Sequence, residues 1–182
     1  MIRILSNAIG AQVKRMTATT SNIGIRRIDH VGIIVSDAEV SEQWYVDVLG
    51  AKPFLRIGYG EEIECKMKAP FRHVFLMLGE QRVELVENAN WRGFARRDDW
   101  GLIPHYAFMV TAEGLEYQMQ RFREKDVKYA GPIFHPPAPP ASVYFCDPDS
   151  NHLELTVWEG YPREKGVVEV VPWNDLQHAD RS

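Results

Sequence analysis

Hydrophobic and polar positions along the chain follow one pattern twice. Ile28–Val35 (IDHVGIIV) is rich in β-branched residues and predicts a strand. Ser36-Asp37-Ala38-Glu39 reads as a capping box opening a helix. Val40, Trp44 and Val48, with Tyr45 and Leu49, would give that helix an apolar face at helical spacing, and Gly50 would stop it. Strand-like runs follow at about 51–59, 71–78 and 82–88. The order then returns. Ile103–Val110 (IPHYAFMV) predicts a strand, Thr111 can cap a helix whose Leu115, Met119 and Phe122 share one face, and strand-like runs follow at about 127–133, 141–146 and 152–158. The chain therefore predicts two βαβββ modules, at 27–90 and 101–160, joined by a polar, Trp-containing loop.

The repeat gives chemistry a place to gather. His30 is third in the first strand of one module and His105 is third in the first strand of the other. Glu84 lies in Val-Glu-Leu near the end of the first module, and Glu154 in Leu-Glu-Leu near the end of the second. An isolated strand histidine is ordinarily a hydrogen-bonded core residue, and a strand carboxylate without a partner is costly. Four such residues at matching positions are less easily explained that way, because halves related by a pseudo-twofold axis would bring two imidazoles and two carboxylates into one cleft.

Composition narrows the function classes. The 182 residues carry a net charge of −4 with acidic and basic residues mixed, so no basic stripe suggests nucleic acid and no polybasic run suggests a membrane surface. No apolar run approaches the roughly 20 residues of a spanning helix. Cys65 and Cys146 form neither a disulfide framework nor a CxxC zinc motif, which favours a reducing cytoplasm, with Cys146 as a packed thiol. Residues 1–26 contain Arg3, Lys14, Arg15 and Arg26 and no acid. That composition reads as a disordered arm, an upstream extension before a start at Met16, or organelle targeting. Residues 161–182 form a polar tail with a short apolar stretch, Val167 to Val171.

With these residues in view, the sequence over about 27–160 resembles the vicinal-oxygen-chelate superfamily, which includes glyoxalase I and the type I extradiol dioxygenases. The IDHVGIIV opening, the VELVEN segment and the DPDSNHLEL ending carry the likeness. It implies an α+β fold of tandem βαβββ modules, eight strands curled around a metal cleft with a helix from each half outside. It also implies metal ligation by His30, Glu84, His105 and Glu154, a small-molecule substrate and a homodimer.

Two chemistries follow from narrower likenesses. Extradiol dioxygenases are similar around Ile133-x-His135, Val143-Tyr144, Asp147-Pro148 and Glu154, with Ser150 departing where their pattern has Gly or Pro. That likeness implies Fe(II) on His30, His105 and Glu154, the facial triad that leaves positions open. It would make His73 the acid–base group, His135 a hydrogen-bonding partner of the substrate hydroxyl and Tyr144 a stabiliser of substrate charge. Fe(II) and dioxygenation of a catechol-like aromatic are favoured on this basis. The alternative is a glyoxalase I-like lyase, isomerase or epimerase, in which Glu84 is a fourth ligand and proton shuttle on Ni, Co, Mn or Zn. Arg92, Arg96 and Arg97 would then be candidates for binding an anionic substrate. A third reading is a protein that binds a small molecule without turnover, its cleft lined by Trp44, Trp91, Trp100, Tyr106 and Phe108.

Overall fold

The computed structural model describes residues 27–58, 72–91, 104–134 and 140–166. The expected N-terminal arm at 1–26, the apolar stretch 167–171, Cys65, Trp100, His135 and the linker arginines lie outside the described residues.

Each module takes the expected βαβββ order. The first has β1 (His30–Val35), α1 (Ala38–Leu49), β2 (Lys52–Ile57), β3 (His73–Leu78) and β4 (Gln81–Glu87). The second has β5 (His105–Met109), α2 (Ala112–Glu124), β6 (Tyr129–Phe134), β7 (Ala141–Cys146) and β8 (His152–Val157), followed by a short 3-10 turn at Arg163–Lys165. The α+β fold class is borne out. Hydrogen bonding divides the eight strands into two four-stranded sheets, β1-β4-β3-β2 and β5-β8-β7-β6. In each, the first strand runs parallel to the last and the other pairings are antiparallel.

Helix ends follow the sequence with one exchange of roles. Asp37, not Ser36, is the N-cap of α1, its carboxylate accepting from the Glu39 and Val40 amides at 2.9 and 3.1 Å. The Ser36 amide instead donates to Asp149 of the second module at 3.0 Å. Gly50 ends α1 in the left-handed region at φ 70°, which a residue without Cβ adopts at little cost. Thr111 caps α2 as expected, accepting from the Gly114 amide at 3.0 Å.

Strand alternation explains where the core forms. Ile33, Val35, Val74, Leu76, Val83 and Leu85 point to one side of the first sheet, and Val143, Phe145, Leu153 and Leu155 to one side of the second; all are buried. These faces and the apolar sides of both helices make one continuous core. Phe122 of α2 packs 4.6 Å from Phe145, centroid to centroid, and Trp44 of α1 stacks on the same ring. Each fully buried aromatic side chain is worth about 2–3 kcal/mol. Val40, placed on the apolar face of α1 by its spacing, is 57% exposed, and Ala38 and Ser41 take the buried positions.

A polar junction ties the modules together. The turn between β7 and β8 reaches the end of β1: Asn151 Nδ2 donates to the Ile34 carbonyl at 2.9 Å and to Asp147 Oδ2 at 2.8 Å. Asp147 also accepts from Tyr45 Oη and the amides of Asp149 and Asn151. Ser41 Oγ adds a bond to Asp149, and Trp91 Nε1 one to Asn151 Oδ1.

Candidate metal centre

The open face of each sheet lies opposite the shared core, and the predicted ligands stand there in two pairs. In the first module, His30, Gly32 and Ile34 share the open face of β1, and Gly32 is in register with Glu84 of β4. His30 Nε2 lies 3.3 Å from Glu84 Oε2. In the second, Ala107 is in register with Glu154, and His105 Nε2 lies 3.0 Å from Glu154 Oε2. The repeat thus places the residues in space as it places them in sequence.

The pairs do not merge. Among the described residues no group of three or more His, Cys, Asp or Glu side chains is arranged to hold a metal ion. The expected convergence of four ligands in one cleft is not formed within the chain. Strand alternation gives the reason: both sheets turn their apolar faces to a common core, so both His–Glu pairs face away from it.

The neighbours of each pair define its electrostatics. Asp29 Oδ2 lies 3.1 Å from His30 Nδ1, and Arg82 Nη1 donates to Asp29 Oδ1 at 2.6 Å. The bond to His30 and the nearby Arg82 charge hold the Asp29 carboxyl below the usual range. An ionised carboxylate can only accept, so Asp29 orients the ring by accepting from His30 Nδ1, which leaves Nε2 facing Glu84. His73, on β3 and 8% exposed, bonds through Nδ1 to Glu84 Oε1. Phe75 lies edge-on to His30 with its centroid 6.1 Å away.

The second pair is more enclosed. Burial works to raise the Glu154 carboxyl, but hydrogen bonds from His105, Ser142 and Tyr144 outweigh it and hold the group below its ordinary value. Burial and the Glu154 charge push the Tyr144 phenol up to about 12, so at neutral pH it is a hydroxyl donor. Its ring meets His105 edge-on at 6.3 Å. His152, buried and in register with His105, is held below the usual imidazole range by burial and by His105.

The donor sets fit a divalent cation two by two. Arms of about 2.1 Å set at right angles end about 3 Å apart, and the observed nitrogen–oxygen separations are 3.3 and 3.0 Å. A nitrogen and an oxygen at such distances can share a proton between them, and the same two atoms can instead take a cation.

Of the residues expected to be catalytic, Glu84 and Tyr144 lie at the pairs. His73 is bound to Glu84, and His135 lies outside the described residues. Sequence reading missed Asp29, Ser142 and His152. Period-two alternation carried the signal for His152, two residues from Glu154 on one strand face, and adjacency carried it for Asp29. The aromatic residues proposed to line a binding cleft behave otherwise. Tyr45, next to Trp44 in sequence, is wholly buried, and Trp44, Tyr106 and Phe108 pack against the core rather than on the His–Glu faces.

A profile of the Glyoxalase/Bleomycin resistance protein/Dioxygenase superfamily matches residues 27–155, and the chain belongs to that superfamily. Among solved structures it is similar to a glyoxylase/bleomycin resistance protein/dioxygenase domain from Frankia sp. EAN1pec, at TM-score 0.57 and 20% identity over 74% of this chain and 93% of that one. It is similar to an integron cassette protein from the mobile metagenome of Halifax Harbour sewage outfall, at TM-score 0.55 and 24% identity over 73% and 99%. It is also similar to the fosfomycin resistance protein FosX from Listeria monocytogenes in complex with Mn(II) and sulfate, at TM-score 0.53 and 18% identity over 78% and 97%. At these identities the likeness is one of fold. No curated protein sequence matches significantly.

Proposed function

We propose that the protein is a metal-dependent enzyme acting on a small molecule with adjacent oxygen atoms, using His30, Glu84, His105 and Glu154 as the ligands of one divalent cation. The observation that carries this reading is the facing of an imidazole nitrogen and a carboxylate oxygen at matching places in both modules, at 3.3 and 3.0 Å. FosX, of the same fold, holds Mn(II), in one form together with 1S,2S-dihydroxypropylphosphonic acid. A bound divalent cation would polarise two vicinal oxygens of the substrate and stabilise charge that develops on them.

A second copy of the chain completes the centre in this proposal, the His30–Glu84 face of one meeting the His105–Glu154 face of the other. Exposed apolar side chains flank the pairs, Ile34 at 37% and Met109 at 78% exposure, both on strands with a single partner among the described residues. An open edge and exposed apolar surface beside incomplete ligand sets suit burial against another copy.

The protein's own groups then divide the work. Asp29 orients His30, and Tyr144 offers its hydroxyl beside Glu154 to a developing oxyanion. Glu84 and Glu154 are the candidates to move a proton on the substrate. Because Glu84 stands with His30, the geometry favours the glyoxalase-like lyase, isomerase or epimerase class over the extradiol class. Engagement of His73 by Glu84 points the same way, since an acid–base group for a catechol would have to face the substrate. Extradiol cleavage with Fe(II) keeps one supporting observation, the setting of Tyr144 against His105 and Glu154.

Elemental analysis of the purified protein, followed by assays with and without oxygen, separates these readings. Activity under anaerobic conditions with Mn²⁺, Ni²⁺, Co²⁺ or Zn²⁺ supports the first. Bound iron with oxygen uptake on a catechol replaces it with the second, and a protein that takes up no metal overturns both.

A further inference from the structure

We infer that His73 is a positioning residue that commits one oxygen of Glu84 to itself and leaves only the other for the metal; this rests on the proposed reading of Glu84 as a ligand. The two carboxylate oxygens have different partners. Oε1 is bonded to His73 Nδ1, and Oε2 faces His30 Nε2 at 3.3 Å. Turning both oxygens toward a cation would break the first bond and strand a buried imidazole N–H, at a cost of about 1–3 kcal/mol. His73 is held in place by β3, where it pairs with Val86, two residues beyond Glu84 on the same face.

The second module supports the assignment independently. There Ser142 pairs with Thr156, two residues beyond Glu154, so Ser142 occupies the repeat position of His73. Its hydroxyl donates to Thr156 Oγ1 at 3.2 Å and also helps to hold the Glu154 carboxyl below its ordinary value. Both modules therefore set a polar side chain at the same place on the strand beside their carboxylate, an imidazole in one and a hydroxyl in the other. A residue fixed on the carboxylate, as His73 is on Glu84, limits how many metal positions the glutamate fills, and so preserves positions for the two substrate oxygens.

The test is Mn²⁺ binding to the full-length protein, followed by calorimetry and by the electron paramagnetic resonance signal of the bound ion. His73→Leu, which keeps the bulk of the side chain, should weaken Mn²⁺ binding about 10–100-fold and broaden or shift the signal. His73→Asn, whose side-chain amide can replace the Nδ1 proton, should restore most of the affinity. On a Glu84→Ala background His73→Leu should add nothing, because the effect passes through that carboxylate. Unchanged affinity in a folded His73→Leu protein, or full additivity with Glu84→Ala, overturns the assignment while leaving the metal reading intact. If His73→Leu does not fold, the decision passes to His73→Asn: wild-type-like affinity supports the assignment, and a loss matching Glu84→Ala overturns it. A wild-type protein that binds no Mn²⁺ overturns the metal reading and this assignment together.

Discussion

His105 Nε2 stands 3.0 Å from Glu154 Oε2 on the open face of the second sheet, repeating the relation of His30 to Glu84 on the first. Each pair supplies one nitrogen and one oxygen, which is too few donors to hold a divalent metal in a closed site. This incompleteness leads directly to the first prediction.

Glu84→Ala and Glu154→Ala should each lose metal retention when purified alone. Mixed, unfolded and refolded together, they should recover about a quarter of the wild-type sites. Half of the random dimers are mixed, and each mixed dimer has one intact site and one doubly defective site. Metal content by elemental analysis measures the recovery, and none above the single variants would count against a centre shared between copies.

Asp147 gives a prediction about pH. Burial is the largest influence and raises its carboxyl to about 6, against the four hydrogen bonds it accepts from Tyr45, Asp149 and Asn151. Its folded-state value lies above the unfolded one near 4, so the folded protein binds this proton more tightly. The resulting stability is fully present below about pH 4 and is lost as pH rises through 6, a change on the order of 3 kcal/mol. Asp147→Asn should be less stable at every pH because Tyr45 loses its acceptor, but it should lack this decline. Denaturant midpoints between pH 4 and 7 test it, and parallel curves for the two proteins would sink it.

Ser150 adopts φ 63° in the turn before β8, the left-handed region where a side chain is strained. This is the position at which the extradiol-like pattern has Gly or Pro. Ser150→Gly keeps the amide bond to the Asp147 carbonyl and should stabilise the protein by about 0.5–1 kcal/mol. Thermal unfolding measures this; a lowered midpoint would show that glycine's larger unfolded-state entropy outweighs the relieved strain.

Cys146 lies on the open face of β7, and burial, with the Asp147 charge, pushes its thiol up to about 12. In a Cys65→Ser background, it should react with iodoacetamide at pH 8 roughly a thousandfold more slowly than an unstructured thiol. Labelling followed by mass spectrometry checks this, and labelling at a free-thiol rate would contradict the burial argument.

What was legible in the sequence was whatever depends on local pattern. Alternating β-branched runs located all eight described strands within a few residues, since strand faces repeat with period two. Thr111 and Gly50 marked helix ends because their backbone and capping chemistry are local. The repeat also put His30 and His105 at like places in the first strands and Glu84 and Glu154 at like places in the last, because a duplicated element order repeats its strand positions. Ser36 was misread as a cap because the competing acceptor, Asp149, is over a hundred residues away. Val40 was misread because helix spacing does not say which side of an apolar arc the second module will cover.

The sequence by itself determined the βαβββ element order of both halves and the matching repeat positions of His30 with His105 and of Glu84 with Glu154. Only the tertiary structure decided how the modules meet. Burial of both apolar sheet faces and both helices in one core turns the two pairs outward, and the Asp147–Asn151 junction holds β1 in that arrangement. It also showed that His73 is engaged with Glu84, a contact between neighbouring strands that depends on the exact pairing register. Whether the four ligands meet depends on which surfaces meet, because apolar burial, the largest energetic term, sets the direction in which the ligands face.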